Sequence, residues 1–519
     1  MIRDLLHDQP SPDAFSDVCI VGAGAAGIVL AVELSRQGKH VVLLEAGSRD
    51  VEEADQELYQ ADLLGLPHRG ITSGRFRVHG GTTRRWGGQI LELDSVDFST
   101  RPWIPGSGWP ITLQHLAPFY ERALALEGLG SVLRTDQEVW RAVHLAPPSF
   151  DGLLPYFSRW CPEPDFSRLH QGALESPNIE VWLHANALSL DIKDNQIRGL
   201  RCRTLGSKEH VFRARHFVFS LGAIETTRFF LQPREGQLPW NASGRLGLHF
   251  QDHIDLNAAS VRVKDRRAFH QAFDNIYVHG HKYHAKFRLD PHLEEQHQTL
   301  NVAATMAFSD PADAALAETK ATARKLLHGR LKEVSRAEAF SGLAALPWLS
   351  RQVWRYARHH RAYNSPSANI SLRVHCEQQP DGASRLTLSN DRDRLGMYRI
   401  QLDWRISPLE RRTMRTFVEH AQRSLAGLLD LTPDPALMND DPSIADRCDD
   451  SNHHIGGMRM AADPTLGVVD TDLRLHGLNN CFACTSAVFP TGGFSNPTHT
   501  VLALAVRLAD HLARELKGA

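Results

Sequence analysis

Apolar residues along this chain fall into short unbroken runs and longer stretches of helical spacing. Val18–Val21 is apolar at every position and leads into Gly22-Ala23-Gly24-Ala25-Ala26-Gly27. Ile28, Ala31, Val32 and Leu34 then recur at helical spacing up to Gly38, and a second run covers Val41–Leu44. Runs without a polar alternate predict strands buried on both faces, so 17–46 reads as one βαβ unit of a parallel sheet. A helix is predicted over 113–128. Alternation at Val181, Leu183, Leu188 and Leu190 predicts a meander within 175–221, closing on the apolar stretch His216–Ser220. Between them, 65–90 is too polar and too rich in glycine for a core element and reads as a loop that lines a surface or a site. From 256 to 435 the pattern changes to strand-like pieces, with a helical, basic insertion near 312–362 and an alternating segment at Arg385–Trp404. The last part, 440–519, holds a glycine-rich loop, a strand at Asn480–Ala483 and a final helix from Asn496 to Leu516.

Length and composition narrow this picture. The 519 residues suffice for two domains. With 58 Lys+Arg against 60 Asp+Glu, there is no basic field for nucleic acid or an anionic membrane, which points to a small-molecule partner. Seven cysteines, odd in number and scattered, argue for a reducing compartment and against a disulfide framework. Cys481 and Cys484 form a C-x-x-C followed by Thr485 rather than histidine, which excludes covalent haem attachment there and leaves ordinary buried thiols. The start, MIRDLLHDQPSPD, has neither a secretory nor a twin-arginine pattern, and no stretch reaches the roughly 18 apolar residues of a membrane span. A soluble, cytoplasmic protein is expected.

The glycine turn at 22–27 stands between strand and helix, where the first glycine permits the turn, the second admits a pyrophosphate and the third allows close packing. Glu45, at the end of the second strand, is placed to accept hydrogen bonds from an adenosine ribose. Gly80-Gly81-Thr82-Thr83-Arg84-Arg85-Trp86-Gly87-Gly88 is either a tight loop around a packed tryptophan or a flexible backbone beside a flat ring system. Gly222, at the end of the run His216–Leu221, marks either a plain strand-to-helix connection or a second approach to a cofactor. In the C-terminal part, His453 sits in a glycine-containing loop and can take a proton near neutral pH. Asn496 precedes Pro497 at the start of the last helix; it is suited to capping that helix or to hydrogen bonding at a site. His499, one turn later, is a further candidate for that site. Neither a pair of C-x-x-C motifs nor an H-E-x-x-H is present, and His249 and His253 share only i,i+4 spacing, so no metal is expected.

Taken together, these motifs resemble the glucose–methanol–choline (GMC) family of FAD-dependent oxidoreductases, at both ends and in the middle. GAGAAG with Glu45 is similar to the family's ADP-binding start, GGTTRRWGG to its flavin-proximal loop, and GAIET at 222–226 to the segment that returns to FAD. HHIGGMRM resembles the His-x-x-Gly-Thr-x-Arg-Met block, with Gly457 in place of threonine. GVVD, VFPT and NPT match the closing segment. The resemblance implies His453 and Asn496 as catalytic residues. It implies a cofactor set of Gly22, Gly24, Ala26, Gly27, Glu45, Ala46, Gly80, Gly81, Thr82, Trp86, Gly87, Gly88, Ala187, Gly222, Thr485, Asn496, Pro497 and Thr498. It also implies an α/β fold: a Rossmann-like FAD-binding domain assembled from 1–255, with excursions over 65–170, and 436–519, plus an α+β substrate domain at 256–435 with a mostly antiparallel sheet.

NPTHT and CEQQPDGASRLTLS at 376–389 look most like the branch of pyranose oxidases and related bacterial dehydrogenases. Fungal pyranose oxidases link FAD to a histidine of the glycine loop; Arg85 stands there in this chain, so FAD is expected to be held non-covalently. The implied reaction oxidises an alcohol of a sugar or glycoside. His453 takes the hydroxyl proton, the carbon-bound hydrogen passes as hydride to flavin N5, and oxygen, a quinone or a redox partner receives the electrons. Oxidation of an alcohol on a natural-product scaffold and a flavin-containing lyase are the alternatives.

Overall fold

In the computed structural model, which describes residues 1–11, 14–234, 238–309 and 346–517, the first apolar run lies in the strand Phe15–Val21 and the second in Val41–Leu44. These pair in parallel, with Val18 opposite Val41, and the helix Ala25–Arg36 crosses between them. Val41–Leu44 then pairs with Ile179–Leu183, and that strand with Ile2–Asp4, all in parallel. On the other side, Glu209–Phe219 runs parallel to Phe15–Val21. Its first half carries the antiparallel strands Gln196–Arg203 and Asn186–Lys193. Its last residues, Phe217–Phe219, pair in parallel with Cys481–Ala483, so the end of the chain re-enters the first sheet.

The meander expected over 175–221 is therefore divided. Ile179–Leu183 has Val181, Trp182 and Leu183 buried and joins the doubly covered parallel sheet, whereas Asn186–Lys193 exposes alternate residues and forms its antiparallel extension. The final helix Pro497–Glu515 packs against Ala25–Arg36 and against Leu113–Leu126. Val501, Leu502, Leu504, Val506, Leu508 and Leu512 are all buried there, each contributing about 1.5–3 kcal/mol of burial free energy. This docking fixes Asn496 and Pro497 at the helix start.

A second sheet is antiparallel throughout, in the order Leu429–Pro433, Ile254–Val263, Asn369–Cys376, Val302–Ser309, His281–Leu289, Leu153–Trp160 and Gln89–Ile90. Its last two strands come from the first 255 residues. One face is apolar: Phe287, Val302, Ala304, Leu372 and Val374 share a core with Met414, Phe417 and Val418 of the helix Pro408–Ser424. The other face is polar, because the alternate positions hold Tyr156, Ser158, His284, Lys286, Thr305, Arg373 and His375. The alternating segment Arg385–Trp404 forms the hairpin Arg385–Arg392 with Tyr398–Asp403, joined in parallel by Ala61–Leu63 in a separate small sheet. Of the basic insertion near 312–362, the part before residue 346 lies outside the described residues; the helix Leu346–His359 falls in the rest. All seven cysteines are free and buried. No helix among the described residues is long and apolar enough to cross a membrane.

The final helix carries a buried charge pair. His499 Nδ1 lies 2.7 Å from Glu127 Oε2, both side chains are fully buried, and Tyr120 stacks on the imidazole. Although burial alone would lower the His499 pKa, Glu127 and Glu92 raise it to about 9. A pKa raised on folding gives stability that is complete below the unfolded value of 6.5 and is lost as pH rises through about 9. Urea-unfolding midpoints are expected to fall across that window by the equivalent of about 3 kcal/mol. His499→Gln should flatten this limb; an unchanged limb in the variant would assign it to another group.

Candidate active site

The glycine turn at 22–27 is built for close approach. Gly22 has φ +105°, and a Cβ at Gly27 would lie 1.9 Å from the Gly22 carbonyl oxygen. A Cβ at Gly24, in contrast, would meet no protein atom within 4 Å, because it faces a cavity. Glu45 at the end of Val41–Leu44 accepts from the backbone N–H groups of Ala23 at 3.1 Å and Gly47 at 3.0 Å. Burial nevertheless raises its pKa to about 7, against these bonds and the charge of Arg77.

One continuous cavity runs from this turn towards the C-terminal loops. Gly22, Gly24, Ala26, Glu45, Ala46, Gly81, Thr82, Trp86, Ala187, Gly222, Thr485, Pro497 and Thr498 line it. Gly27, Gly80, Gly87, Gly88 and Asn496 do not, and their positions show what they do instead. Gly27 packs under the turn, and the Gly80 N–H donates to the Ala23 carbonyl at 3.0 Å. Gly87 lies against Trp160, and the Gly88 carbonyl accepts from Cys161 N–H at 2.8 Å, so the second glycine pair ties the loop to Leu153–Trp160. Trp86 both lines the cavity and donates Nε1–H to the Pro164 carbonyl at 2.7 Å. Arg85 is exposed and lies outside the lining.

The same wall contains residues that sequence reasoning missed. Arg75, Arg77 and Arg228 converge on Glu225, at 3.2, 3.5 and 3.2 Å, and Arg228 also reaches Asp393 at 2.5 Å. All five line the cavity, and the three guanidiniums hold Glu225 below the usual carboxylate range although burial alone would raise it. The Gly74-Arg75-Phe76-Arg77 spacing was visible, but in a loop its arginines read only as polarity.

His453 and Asn496 come together beside this cavity. Asn496 is the N-cap residue of the last helix, yet its side chain makes no capping bond; its Nδ2–H donates to His453 Nε2 at 2.9 Å. Pro497 at the first helical position holds the backbone of Asn496 extended, φ −57° and ψ 124°, as the helix begins. The His453 backbone N–H donates to Asp252 Oδ1 at 2.8 Å, which holds the loop. Its Nδ1 lies 2.8 Å from His253 Nδ1. His375 follows at 4.6 Å between ring centroids from His253, and His375 Nδ1 is 2.6 Å from Asp255 Oδ1. Burial lowers the His453 pKa to about 3, helped by His375 and Lys286 and opposed by Asp255, so the ring is neutral at working pH. Burial would raise the Asp255 pKa, but His375 and Arg373 hold it well below the carboxylate range.

His253, His375 and His453 each offer a nitrogen within 4.8 Å of the others. This cluster is drawn from three distant segments, so the spacing of ligands along the chain gave no sign of it. His454 lines the cavity and packs against His68, which pairs with Asp252 at 3.1 Å. His499 turns away from His453, to Glu127.

Residues 380–505 match the GMC oxidoreductase family and residues 16–61 the FAD binding domain. These matches place a GMC oxidoreductase segment near the end of the chain and an FAD-binding segment near its start. The protein is an FAD-dependent enzyme acting on CH–OH groups. The chain is similar to a 2-methyl-1,2-propanediol dehydrogenase of Mycolicibacterium austroafricanum, 22% identical over 96% of this chain and 95% of that one. A fructose dehydrogenase large subunit of Gluconobacter japonicus is 22% identical over 97% and 98%. In fold, the chain matches a pyridoxine 4-oxidase of Mesorbium loti with a TM-score of 0.59, at 17% identity and covering 96% and 99% of the two chains. The cavity fits FAD: the Gly24 side is open, Glu45 lines it and would accept from a ribose, and the free N–H groups at the start of Ala25–Arg36 would face a pyrophosphate bound there.

Proposed function

We propose that this chain is a GMC oxidoreductase that converts a hydroxyl group of a sugar or glycoside to a carbonyl, with FAD held non-covalently. In this proposal His453 is the base and Asn496 the group that orients the hydroxyl. When bound, FAD accepts the two electrons and the carbon-bound hydrogen of the alcohol. The observation that carries the proposal is the bond from Asn496 Nδ2–H to His453 Nε2 at 2.9 Å, set one residue before the cavity-lining Pro497 and Thr498. An amide N–H can only donate, so the neutral His453 keeps its Nε2 lone pair on the side where a hydroxyl would sit. A hydroxyl taking its place between the two side chains gives its proton to Nε2 and accepts from Asn496 Nδ2–H.

The polar face of the antiparallel sheet supports a polyhydroxylated substrate. Lys286 and His375 both act on the His453 charge, and Tyr156 stands 5.4 Å between ring centroids from Phe494, two residues before Asn496. Burial brings the Lys286 pKa down to about 8, opposed by Asp255. Such a floor offers donors and acceptors at several positions, which suits a sugar ring better than a simple alkyl alcohol. Similarity to a fructose dehydrogenase agrees with it. Seven free thiols support a cytoplasmic, reducing setting, and we take 256–435 as the substrate domain within FAD-binding segments 1–255 and 436–519.

Anaerobic spectra of the holoenzyme against monosaccharides, glycosides and simple alcohols test the proposal. Bleaching of the oxidised flavin band by a monosaccharide or glycoside is expected, and readmitted air then separates oxygen from a quinone or redox partner as acceptor. Bleaching by simple alcohols alone would overturn the sugar assignment. A persistent yellow colour with turnover would transfer the chain to the lyase alternative.

A further inference from the structure

We infer that His253 is a positioning residue for His453, accepting a hydrogen bond that fixes the catalytic tautomer and shares the positive charge formed during proton abstraction. This rests on the proposed role of His453 as base.

The geometry leaves one consistent assignment of protons. Asn496 Nδ2 donates to His453 Nε2, so in the neutral ring the single proton belongs on Nδ1. Nδ1 lies 2.8 Å from His253 Nδ1, a hydrogen-bond distance at which one nitrogen must donate and the other accept. His253 Nδ1 is therefore the acceptor, and its own proton sits on Nε2, which is buried beside Gly492 and has no hydrogen-bond partner among the described residues. A ring with its partners exchanged would place a proton on His453 Nε2, against the amide protons of Asn496 and in the path of the substrate hydroxyl.

The surroundings keep His253 in the accepting state. It is 1% exposed, and burial lowers its pKa well below the ordinary value, with His375 and His453 adding to the effect and Asp255 opposing it. The groups facing the pair are His375 and Asp255 on the sheet, Lys286 on the strand His281–Leu289 of the same sheet, and Asp252 and His454 on the loops. Once His453 has taken the hydroxyl proton, its Nδ1–H points at a neutral acceptor with Asp255 behind His375. A hydrogen bond to the charged form favours that form. His253 thus makes His453 a stronger base than burial alone would leave it.

Asn and Leu are nearly isosteric, and Asn Oδ1 falls where His Nδ1 stood, so the Asn variant restores an acceptor to His453 Nδ1–H that the Leu variant lacks. His253→Leu is expected to slow substrate-driven flavin reduction by about 10- to 100-fold, the usual range for losing the partner that orients a functional histidine. Its substrate affinity should change by no more than about twofold, because the change acts through the tautomer. His253→Asn is expected to recover most of that loss. His253→Asp places a carboxylate on Nδ1, which should move the acid limb of the rate upward by about one pH unit or more.

Equal rates in the Asn and Leu variants, or an acid limb unmoved by Asp, would overturn the inference. So would stoichiometric metal in the purified holoenzyme that disappears on changing His253 or His375, since the cluster would then be a metal site. His453→Ala, run alongside, separates the two levels. If it reduces flavin normally, the base assignment itself fails; if it is slow while the three His253 variants behave alike, only the role of His253 fails. Should the Leu variant lose FAD, the Asn and Asp comparison still decides.

Discussion

Replacing His453 with alanine is expected to give a yellow, FAD-loaded protein in which alcohol-driven bleaching is slower by about 10²–10⁴-fold, the range for removing a general base. FAD should stay because His453 is absent from the lining of the cavity, while Pro497, Thr498, Thr485 and the Gly22–Gly27 turn are untouched. The loop should also stay, since its anchor is the backbone N–H of residue 453 on Asp252, which alanine retains. What is lost is the Nε2 lone pair beside Asn496. Stopped-flow bleaching at saturating substrate measures the effect directly, and a rate within about threefold of the wild type would remove His453 from the mechanism. The pH profile adds a second check. With its pKa lowered to about 3 by burial, His453 is already deprotonated far below pH 6.5, so the wild-type acid limb should lie well on the acid side of the ordinary histidine range.

The contrast between His453 and His253 also explains how much of this enzyme the sequence revealed. The βαβ unit was legible because burial on both faces leaves no polar alternate in Val18–Val21 or Val41–Leu44, and because Gly22, Gly24 and Gly27 stand in register with it. His453 and Asn496 were legible because each lies in a glycine- or proline-marked loop rather than on an apolar face. His253 and His375 were hidden for the opposite reason. Asp252-His253 leads into the strand Ile254–Val263, and His375 alternates with buried Val374 and Cys376, so both look like ordinary positions of a half-polar sheet. Only the antiparallel pairing of Asp255 with His375, more than a hundred residues apart, brings them to one place. The Arg75–Glu225–Arg228–Asp393 network was missed likewise, as it is assembled from a loop, a helix and a hairpin turn. Local periodicity reports which face is buried; it carries no information about which charges a distant strand will supply.

The three glycines of the turn should respond differently to the same added side chain. A Cβ at Gly27 would stand 1.9 Å from backbone oxygen, and Gly22 has φ +105°, so valine at either position is expected to disrupt the packing of strand and helix as well as the cofactor. Gly24 has an extended backbone, φ −83° and ψ −167°, that any residue adopts, and its Cβ direction is empty of protein atoms. Gly24→Val should therefore fold, losing about 1 kcal/mol for a poorer helix N-cap, while its methyl groups fill the place of the pyrophosphate. The expected product is a colourless protein with FAD occupancy reduced at least about tenfold, and with the far-ultraviolet circular dichroism of the wild-type apoprotein. Its melting temperature should fall below that of the holoenzyme, because stabilisation by bound FAD is worth about 4 kcal/mol at a thousandfold excess over Kd. Its stability should lie within about 1 kcal/mol of that of the wild-type apoprotein. Full yellow occupancy in Gly24→Val would refute the cradle assignment, and a variant less stable than the apoprotein by several kcal/mol would show that Gly24 serves the fold rather than the cofactor.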